Sequence, residues 1–456
     1  MISRRKLLSA GFGLLGLSLP EFLQLQSRGF AKAPGGVQPR RAKSCIVLYC
    51  WGGMSHLETW DLKPRAPAEV RGEFKPIATA VPGIQISEHM PHLAQQTGKL
   101  AIIRSMHHRC FAHGKSMYWN MTGHAPPAFT APVNLPPSRS DWPSLAAVVS
   151  VFRPGGRGIP AAIRLPYPLV DNGTLQAGEY GGWLGVKHDP IVVRTPKGKP
   201  FGGVSRDLGT PVLNLADGIE RTRLQSRRSL LAGVERSQTP GDSSPSFDFF
   251  REMAFDMLLS HKVERAFELD REPKRLRAAY GDHICGESIL LARRLTEAGV
   301  PIVSVCCAAG DLNGAVGDHW DHHGNIFNRL KKTMLPTLER PAATLLQDLA
   351  DRGRLDETLV VFLTEFGRTP KLSGSPGRNH YPLAYSVALA GGGVRGGQVY
   401  GSSDSIGAHP NTLPCGPNDL HATIFQAMGI PLNALLSDHL DRPMPITDGR
   451  PLPLLA

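Results

Sequence analysis

The 456-residue chain reads as an α/β protein, with a mostly parallel sheet covered on both faces by helices. Three observations predict this class. Short continuous apolar runs recur: Ser44 to Trp51 (SCIVLYCW), Leu100 to Arg104 (LAIIR), Pro301 to Cys307 (PIVSVCC) and Thr358 to Leu363 (TLVVFL). Runs of this length without alternation are the pattern of strands buried on both faces. Helical stretches separate them, notably Ser288 to Ala298 ahead of Gly299, and Asn325 to Arg352. That order gives a sheet with helices on both sides. Finally, 49 Gly and 39 Pro fill about a fifth of the chain, which predicts many ordered loops on that scaffold.

Residues 1–33 read as a targeting segment. Ser3-Arg4-Arg5-Lys6-Leu7-Leu8 is a twin-arginine pattern, a weakly apolar stretch runs to Leu19, and Ala31-Lys32-Ala33 offers a cleavage site. The twin-arginine translocase carries folded proteins, so a periplasmic or extracytoplasmic location is expected. The apolar stretch falls short of the ~20 residues that span a bilayer, and no other window reaches that length. No stable membrane span is expected. Residues 34–456 read as one α/β domain with an insertion at about 166–280. Within that insertion, 166–215 lacks a sustained period. Ala216 to Val234 and Ser246 to Tyr280 are helical, with Arg- and Glu-laden faces that read as solvated.

The remaining elements fall in place around these. A helix is expected over Gly114 to Met121, another over Ser144 to Phe152, and a strand over Ala161 to Leu165. A second buried run, Ala384 to Leu389, follows the TLVVFL strand, and a last helix covers Asp419 to Met428. The net charge is +12, and only part of it sits in the targeting segment. The excess favours anionic partners, namely an anionic small molecule or a sulfated or phosphorylated glycan. No basic helix with interleaved aromatics appears, so nucleic acid is not expected. The seven cysteines show no zinc-site spacing. Cys45, Cys50, Cys306 and Cys307 read as small core residues, and one disulfide could form in an oxidising compartment.

Chemistry-bearing residues gather after the strands. Gly52-Gly53 leads to His56, Glu58 and Asp61. His107, His108 and His113 follow LAIIR, Asp318 to His323 (DHWDHH) follows PIVSVCC, and Glu365 follows TLVVFL, with Arg368, Arg378 and His380 in its loop. In open α/β sheets ligands bind outside the carboxyl ends of the strands. Asp, Glu and His together suit a divalent metal: zinc, manganese or calcium. The candidate ligands are His56, Asp321, His323, Glu365 and His380. The set Asp321, His323, Glu365 and His380 is expected within ~10 Å, the scale of one pocket. The plainer alternatives are an ion pair from Glu365 to Arg368 or Arg378 that pins the loop, and a polar histidine network.

Several motifs also carry a resemblance. GGMSHLETWDLKP, RGEFKPIAT, SMHHRCFAHG through MTGH, HWDHH, TEFGRTPK and GRNHYPLA resemble the twin-arginine-exported bacterial family called domain of unknown function 1501. That family lies in the alkaline phosphatase and sulfatase superfamily, an α/β/α sandwich. HGKSMYWNMTGH resembles the sulfatase segment C-x-P-S-R-x-x-x-L-T-G-R, which puts His113 at the nucleophile position. TLVVFLTEFG resembles the sulfatase strand that ends in S-D-H-G, so Glu365 falls on the metal-binding Asp and Phe366 on the His. Trp51-Gly52-Gly53 stands where the first strand would end in an Asp pair, and Asn418 to Ile424 resembles the helix D-L-x-P-T-L.

The resemblance implies an exported metal-dependent hydrolase of sulfate or phosphate esters, with His113 catalytic and a diverged site. The alternative is a non-catalytic relative that binds a glycan or an envelope partner. An imidazole at a helix start should be neutral near pH 7 unless Glu365 or another carboxylate lies close. The targeting segment gives the first test. Replacing Arg4 and Arg5 with Lys is expected to leave unprocessed precursor in the cytoplasm, read by fractionation and immunoblot. Normal processing of that variant would contradict the twin-arginine assignment.

Overall fold

The computed structural model describes residues 42–127, 135–171, 173–193, 220–237, 245–308 and 319–456. The expected targeting segment, Asp318 and residues 194–219 of the expected insertion lie outside them.

Eight strands form one sheet: β1 (Ser44–Tyr49), β2 (Leu100–Met106), β3 (Ala162–Leu165), β4 (Ile191–Val192), β5 (Ile302–Cys306), β6 (Thr358–Leu363), β7 (Tyr385–Ala390) and β8 (Gln398–Tyr400). Their order across the sheet is β8-β2-β7-β6-β1-β5-β3-β4. β7 runs antiparallel to β6 and β2, and every other pairing in the sheet is parallel. The expected run Ala384 to Leu389 is therefore the one reversed strand of a mostly parallel sheet.

β1 lies at the centre, with Val47 opposite Val361 on one side and Ser304 on the other. All six residues of β1 and all six of β6 are buried. Alternate side chains enter two separate cores. Ile46, Leu48, Val303, Val305, Val360 and Phe362 pack with helices Ile284–Ala298 and Leu335–Asp351. Cys45, Val47, Tyr49, Val361 and Leu363 pack on the opposite face with helices His113–Thr122, Leu145–Phe152 and Pro417–Ala427. Each such side chain contributes about 1.5–3 kcal/mol by leaving water. A strand with two buried faces shows no polar alternation, which is why TLVVFL is legible in the sequence with its observed bounds.

Helix ends follow local chemistry. Ser144 caps Leu145–Phe152 by accepting from Ala147 N, and Gly299 ends Ile284–Ala298 in the left-handed conformation. The helix expected over Asn325 to Arg352 is interrupted. It runs as Ile326–Arg329, a π-helical turn Leu330–Met334, then Leu335–Asp351. Pro336 has no N–H and its ring crowds the carbonyl four residues earlier. A wider turn just before it relieves both problems. The stretch expected as one helix to Tyr280 divides into Pro245–Leu259, His261–Phe267 and Lys274–Tyr280, with Ser260 capping the second and Pro273 preceding the third.

All seven cysteines are buried and free, so none forms the disulfide considered above. Among the described residues no helix is long and apolar enough to cross a membrane. Because β1, β2, β5 and β6 point the same way, the loops after them leave from one edge of the sheet. That edge carries the candidate residues.

Candidate functional site

Glu365 lies two residues past the end of β6 and is fully buried. Its Oε1 accepts from Gly52 N at 2.6 Å and from His113 Nδ1 at 2.9 Å. Its carbonyl accepts from His108 Nε2 at 2.6 Å and from Asn120 Nδ2 at 2.9 Å. Asn120 Oδ1 in turn accepts from the Tyr385 hydroxyl at 2.9 Å. Glu365 is thus fixed by donors from the β1 turn, the loop after β2 and the helix His113–Thr122.

Gly52 makes a further close approach. Its φ is +112°, and a Cβ there would come 2.4 Å from Asp321 N and 2.7 Å from Trp320 N. Only glycine lets the β1 turn lie against this backbone. Trp320 N donates to Trp51 O at 2.9 Å, which ties the two loops together.

Asp321 stands on the far side of His113. Its Oδ1 accepts from Arg368 Nη2 at 2.5 Å, and lies 3.1 Å from His380 Nε2 and 3.0 Å from His323 Nε2. Burial opposes its ionisation, but Arg368 and the three imidazoles hold its carboxyl well below the usual carboxylate range. Arg368 is fully buried. It donates to the carbonyls of Gly53 at 2.8 Å, Trp320 at 3.2 Å and Arg378 at 3.1 Å, and also to Gly52 O.

His113 begins the helix His113–Thr122 and lies between the two carboxylates. Nδ1 faces Glu365, and Nε2 sits 3.3 Å from Asp321 Oδ2, off the line of a hydrogen bond. Trp51 stacks on the ring at 5.4 Å, with Phe366 at 5.0 Å and His380 edge-on at 4.3 Å between centroids. Burial alone would push the imidazole pKa down. The two carboxylates outweigh it and raise it to about 9. The expectation of a neutral His113 therefore gives way to its own exception: carboxylates lie close, and the ring is an imidazolium near pH 7.

The other two histidines differ. Burial lowers the His380 pKa against the pull of Asp321, and its Nδ1 faces the Phe111 carbonyl at 2.8 Å. His323 is at the rim with its side chain 49% exposed, and Asp321 raises its pKa. Its Nδ1 lies 2.9 Å from Asn379 Oδ1.

The structure thus brings Asp321, His323, Glu365, His380 and His113 into one cluster, linked by contacts of 3.3 Å or less. His56 lies apart. It is buried, its Nε2 is 2.9 Å from Gly407 O, and its Nδ1 is turned towards the backbone of Gly367. The ion pair considered for Glu365 does not form with either arginine. Arg368 goes to Asp321, and Arg378 to buried Glu58 with Nη2–Oε1 at 2.6 Å. Ser116, in the same helix as His113, donates to Cys110 O at 2.6 Å and is buried.

Ligand atoms of His113, Asp321 and His380 all lie within 4.8 Å of one another, a spacing that one metal ion could bridge. The donor set fits. Glu365 holds His113 Nδ1 and the Phe111 carbonyl holds His380 Nδ1, which leaves both Nε2 atoms turned to Asp321. Outer partners of this kind fix the tautomer of metal-bound histidines. Two imidazoles, one carboxylate and an open position suit zinc or manganese better than calcium, which prefers oxygen.

Sequence reasoning missed Asp171. It is buried, and burial raises its pKa, with His113 opposing and Asp321 and Glu365 adding to the rise. It lies in the two-residue strand Val170–Asp171, inside the stretch without a period, so no sequence signal marks it. Arg368 was visible only as a partner for the wrong carboxylate.

The family described as "Protein of unknown function (DUF1501)" matches residues 42–455. No curated protein matches the chain. Solved structures similar to it include Ps i-CgsB in complex with k-i-k-neocarrahexaose, at 10% identity and TM-score 0.39, covering 85% of this chain and 72% of that one. The phosphonate monoester hydrolase SpPMH from Silicibacter pomeroyi gives 12% and 0.35, covering 90% and 76%. The TAB5 alkaline phosphatase, a mutant with Mg bound in its M3 site, gives 10% and 0.37, covering 86% and 99%. At this likeness neither a residue role nor an activity passes from them to this chain.

The charge on His113 has a measurable consequence. Its folded pKa of about 9 exceeds the unfolded value of about 6.5. Its ion pairs therefore stabilise the fold fully below about pH 6.5 and cease to do so as pH rises through about 9. In metal-free buffer, the difference in unfolding free energy between the parent and His113→Gln is expected to reach up to about 3 kcal/mol in the acid range. It should fall steadily across the alkaline range. A difference that does not vary with pH would contradict the assignment.

Proposed function

The chain belongs to the DUF1501 family, and from its site geometry we propose that it is a metal-dependent hydrolase of sulfate or phosphate esters. The observation that carries this reading is the convergence of His113, Asp321 and His380 at ligand spacing, with Glu365 behind His113. A zinc or manganese ion, when bound, supplies Lewis-acid polarisation of an ester oxygen and acidifies a bound water.

The chain's own residues do the rest. Glu365 keeps the His113 ring oriented and its Nδ1 protonated, and Trp51 and Phe366 shield the ring from water. Arg368 holds Asp321 ionised and fixed, and acts as a positioning residue because it is fully buried and each of its nitrogens already donates to a protein atom. His323 at the rim, its pKa raised by Asp321, is placed to meet an anionic substrate and to exchange a proton with solvent. The net charge of +12 would concentrate a sulfated or phosphorylated glycan, or a smaller anionic ester, around the protein. Export through the twin-arginine route, and with it a periplasmic or extracytoplasmic site of action, remains part of this proposal.

One observation favours a second reading, a non-catalytic relative that binds a glycan or an envelope partner. Asp321 is already contacted by Arg368 and three imidazoles, so the crown is electrostatically complete in itself. Turnover separates the two. With zinc or manganese added, the parent is expected to hydrolyse aryl phosphate or aryl sulfate esters. His113→Ala and His380→Ala should each lose at least about a hundredfold in kcat/KM. No turnover by the parent with any divalent metal would overturn the hydrolase reading and leave the binder.

A further inference from the structure

Outside the crown, two neighbouring helices each expose apolar side chains. Leu230, Leu231 and Val234 on Arg221–Ser237 are 68%, 37% and 46% exposed, and Phe247 and Phe249 on Pro245–Leu259 are 61% and 42% exposed. These five make up half of the large apolar side chains that the described residues expose, and they lie on one helical pair. Isolated exposed apolar residues are ordinary, but a patch of this kind marks an interaction site.

The first helix is held by its other side. Arg228 reaches Asp256 at 2.7 Å and also Glu252, while Arg221 reaches Glu264 at 2.5 Å. Spacings of four, three and four put Arg223, Arg227, Leu230 and Val234 on one face, and all four are exposed. Arg223 and Arg227 make no ion pair among the described residues, whereas Arg221 and Arg228 do. The face therefore carries two guanidinium groups that are unpaired among the described residues, followed by a run of aliphatic side chains; Phe247 is exposed on the adjoining helix, whereas Phe249, two residues on and so on another side, lines a cavity with Pro154, Ile159 and His188. In the sequence alone this stretch reads as a solvated face. The exposures separate its two sides.

We propose that this helical pair is a docking surface for an anionic lipid bilayer, and that it lies in the interface without spanning. A lipid surface satisfies both halves of the face at once. Phosphate groups take Arg223 and Arg227, and the boundary with the acyl chains takes Leu230, Leu231, Val234 and Phe247. A second copy would not. In a parallel two-fold contact the arginines meet their own kind, and in an antiparallel one they are buried against Leu230 and Val234 without a counter-charge. A soluble polyanion would satisfy the arginines and leave the aliphatic run in water.

The test is co-sedimentation of the full chain with phosphatidylcholine vesicles, with and without phosphatidylglycerol. Arg223→Glu/Arg227→Glu and Leu230→Ser/Leu231→Ser are run alongside, and circular dichroism confirms that each variant is folded. Comparing parent with variants separates the patch from any other lipid-binding segment of the chain. Binding to the anionic vesicles is expected to exceed binding to neutral ones and to weaken with salt. The charge variant should lose at least about thirtyfold, and the serine variant tenfold or more. Three results would overturn the proposal: no preference for anionic vesicles, a serine variant that binds like the parent, or a serine variant that abolishes self-association in sedimentation velocity while vesicle binding is unchanged.

Discussion

A buried guanidinium needs hydrogen-bond partners for its nitrogens, and each nitrogen of Arg368 has one among four carbonyls and a carboxylate drawn from three loops. Gly52 and Gly53 belong to the turn after β1, Trp320 and Asp321 to the loop after β5, and Arg378 to its own loop after β6. Taking a charge out of water costs several kcal/mol unless hydrogen bonds replace the lost solvation. The three loops must therefore close around Arg368 in one arrangement. A lysine could not do the same, because it lacks the planar fork that reaches several acceptors at once. The position of Asp321, and hence of everything that touches it, follows from this closure.

His113 is the second half of the constraint. The helix dipole at its own helix start disfavours a cation there, and burial disfavours it further. Glu365 and Asp321, one on each side of the ring, reverse both effects. The two carboxylates come from different strand ends and would repel each other across a low-dielectric pocket without the imidazolium between them. One ring therefore links β6, the loop after β5 and the helix that follows β2. A metal at the same place would do this work with a larger charge, which is why a metal and a proton are alternatives there.

Much of this was legible in the sequence, for a physical reason. A strand buried on two faces must be apolar throughout, so TLVVFL and SCIVLY announce themselves, and parallel strands deliver their following loops to one edge. Glu365, Asp321, His323 and His380 could be grouped on that ground alone. What could not be read is how each loop returns. Arg368 goes to Asp321 and not to Glu365 because the loop after β5 folds over the Gly52 backbone, a contact set by a missing Cβ. His56 lies only a few residues beyond β1, yet its turn carries it away towards Gly407. Asp171 joins the site's field from a stretch with no periodicity at all. The charge on His113 depends on distances, and sequence fixes only its condition.

Anomalous diffraction from crystals soaked in zinc, or in manganese, tests the central claim most directly. One peak is predicted, at about 2.0–2.2 Å from His113 Nε2, His380 Nε2 and an Asp321 carboxylate oxygen, with Glu365 still on His113 Nδ1. A peak at His56 or at the rim between His323 and Asn379, or no peak at any soaking concentration, would contradict it.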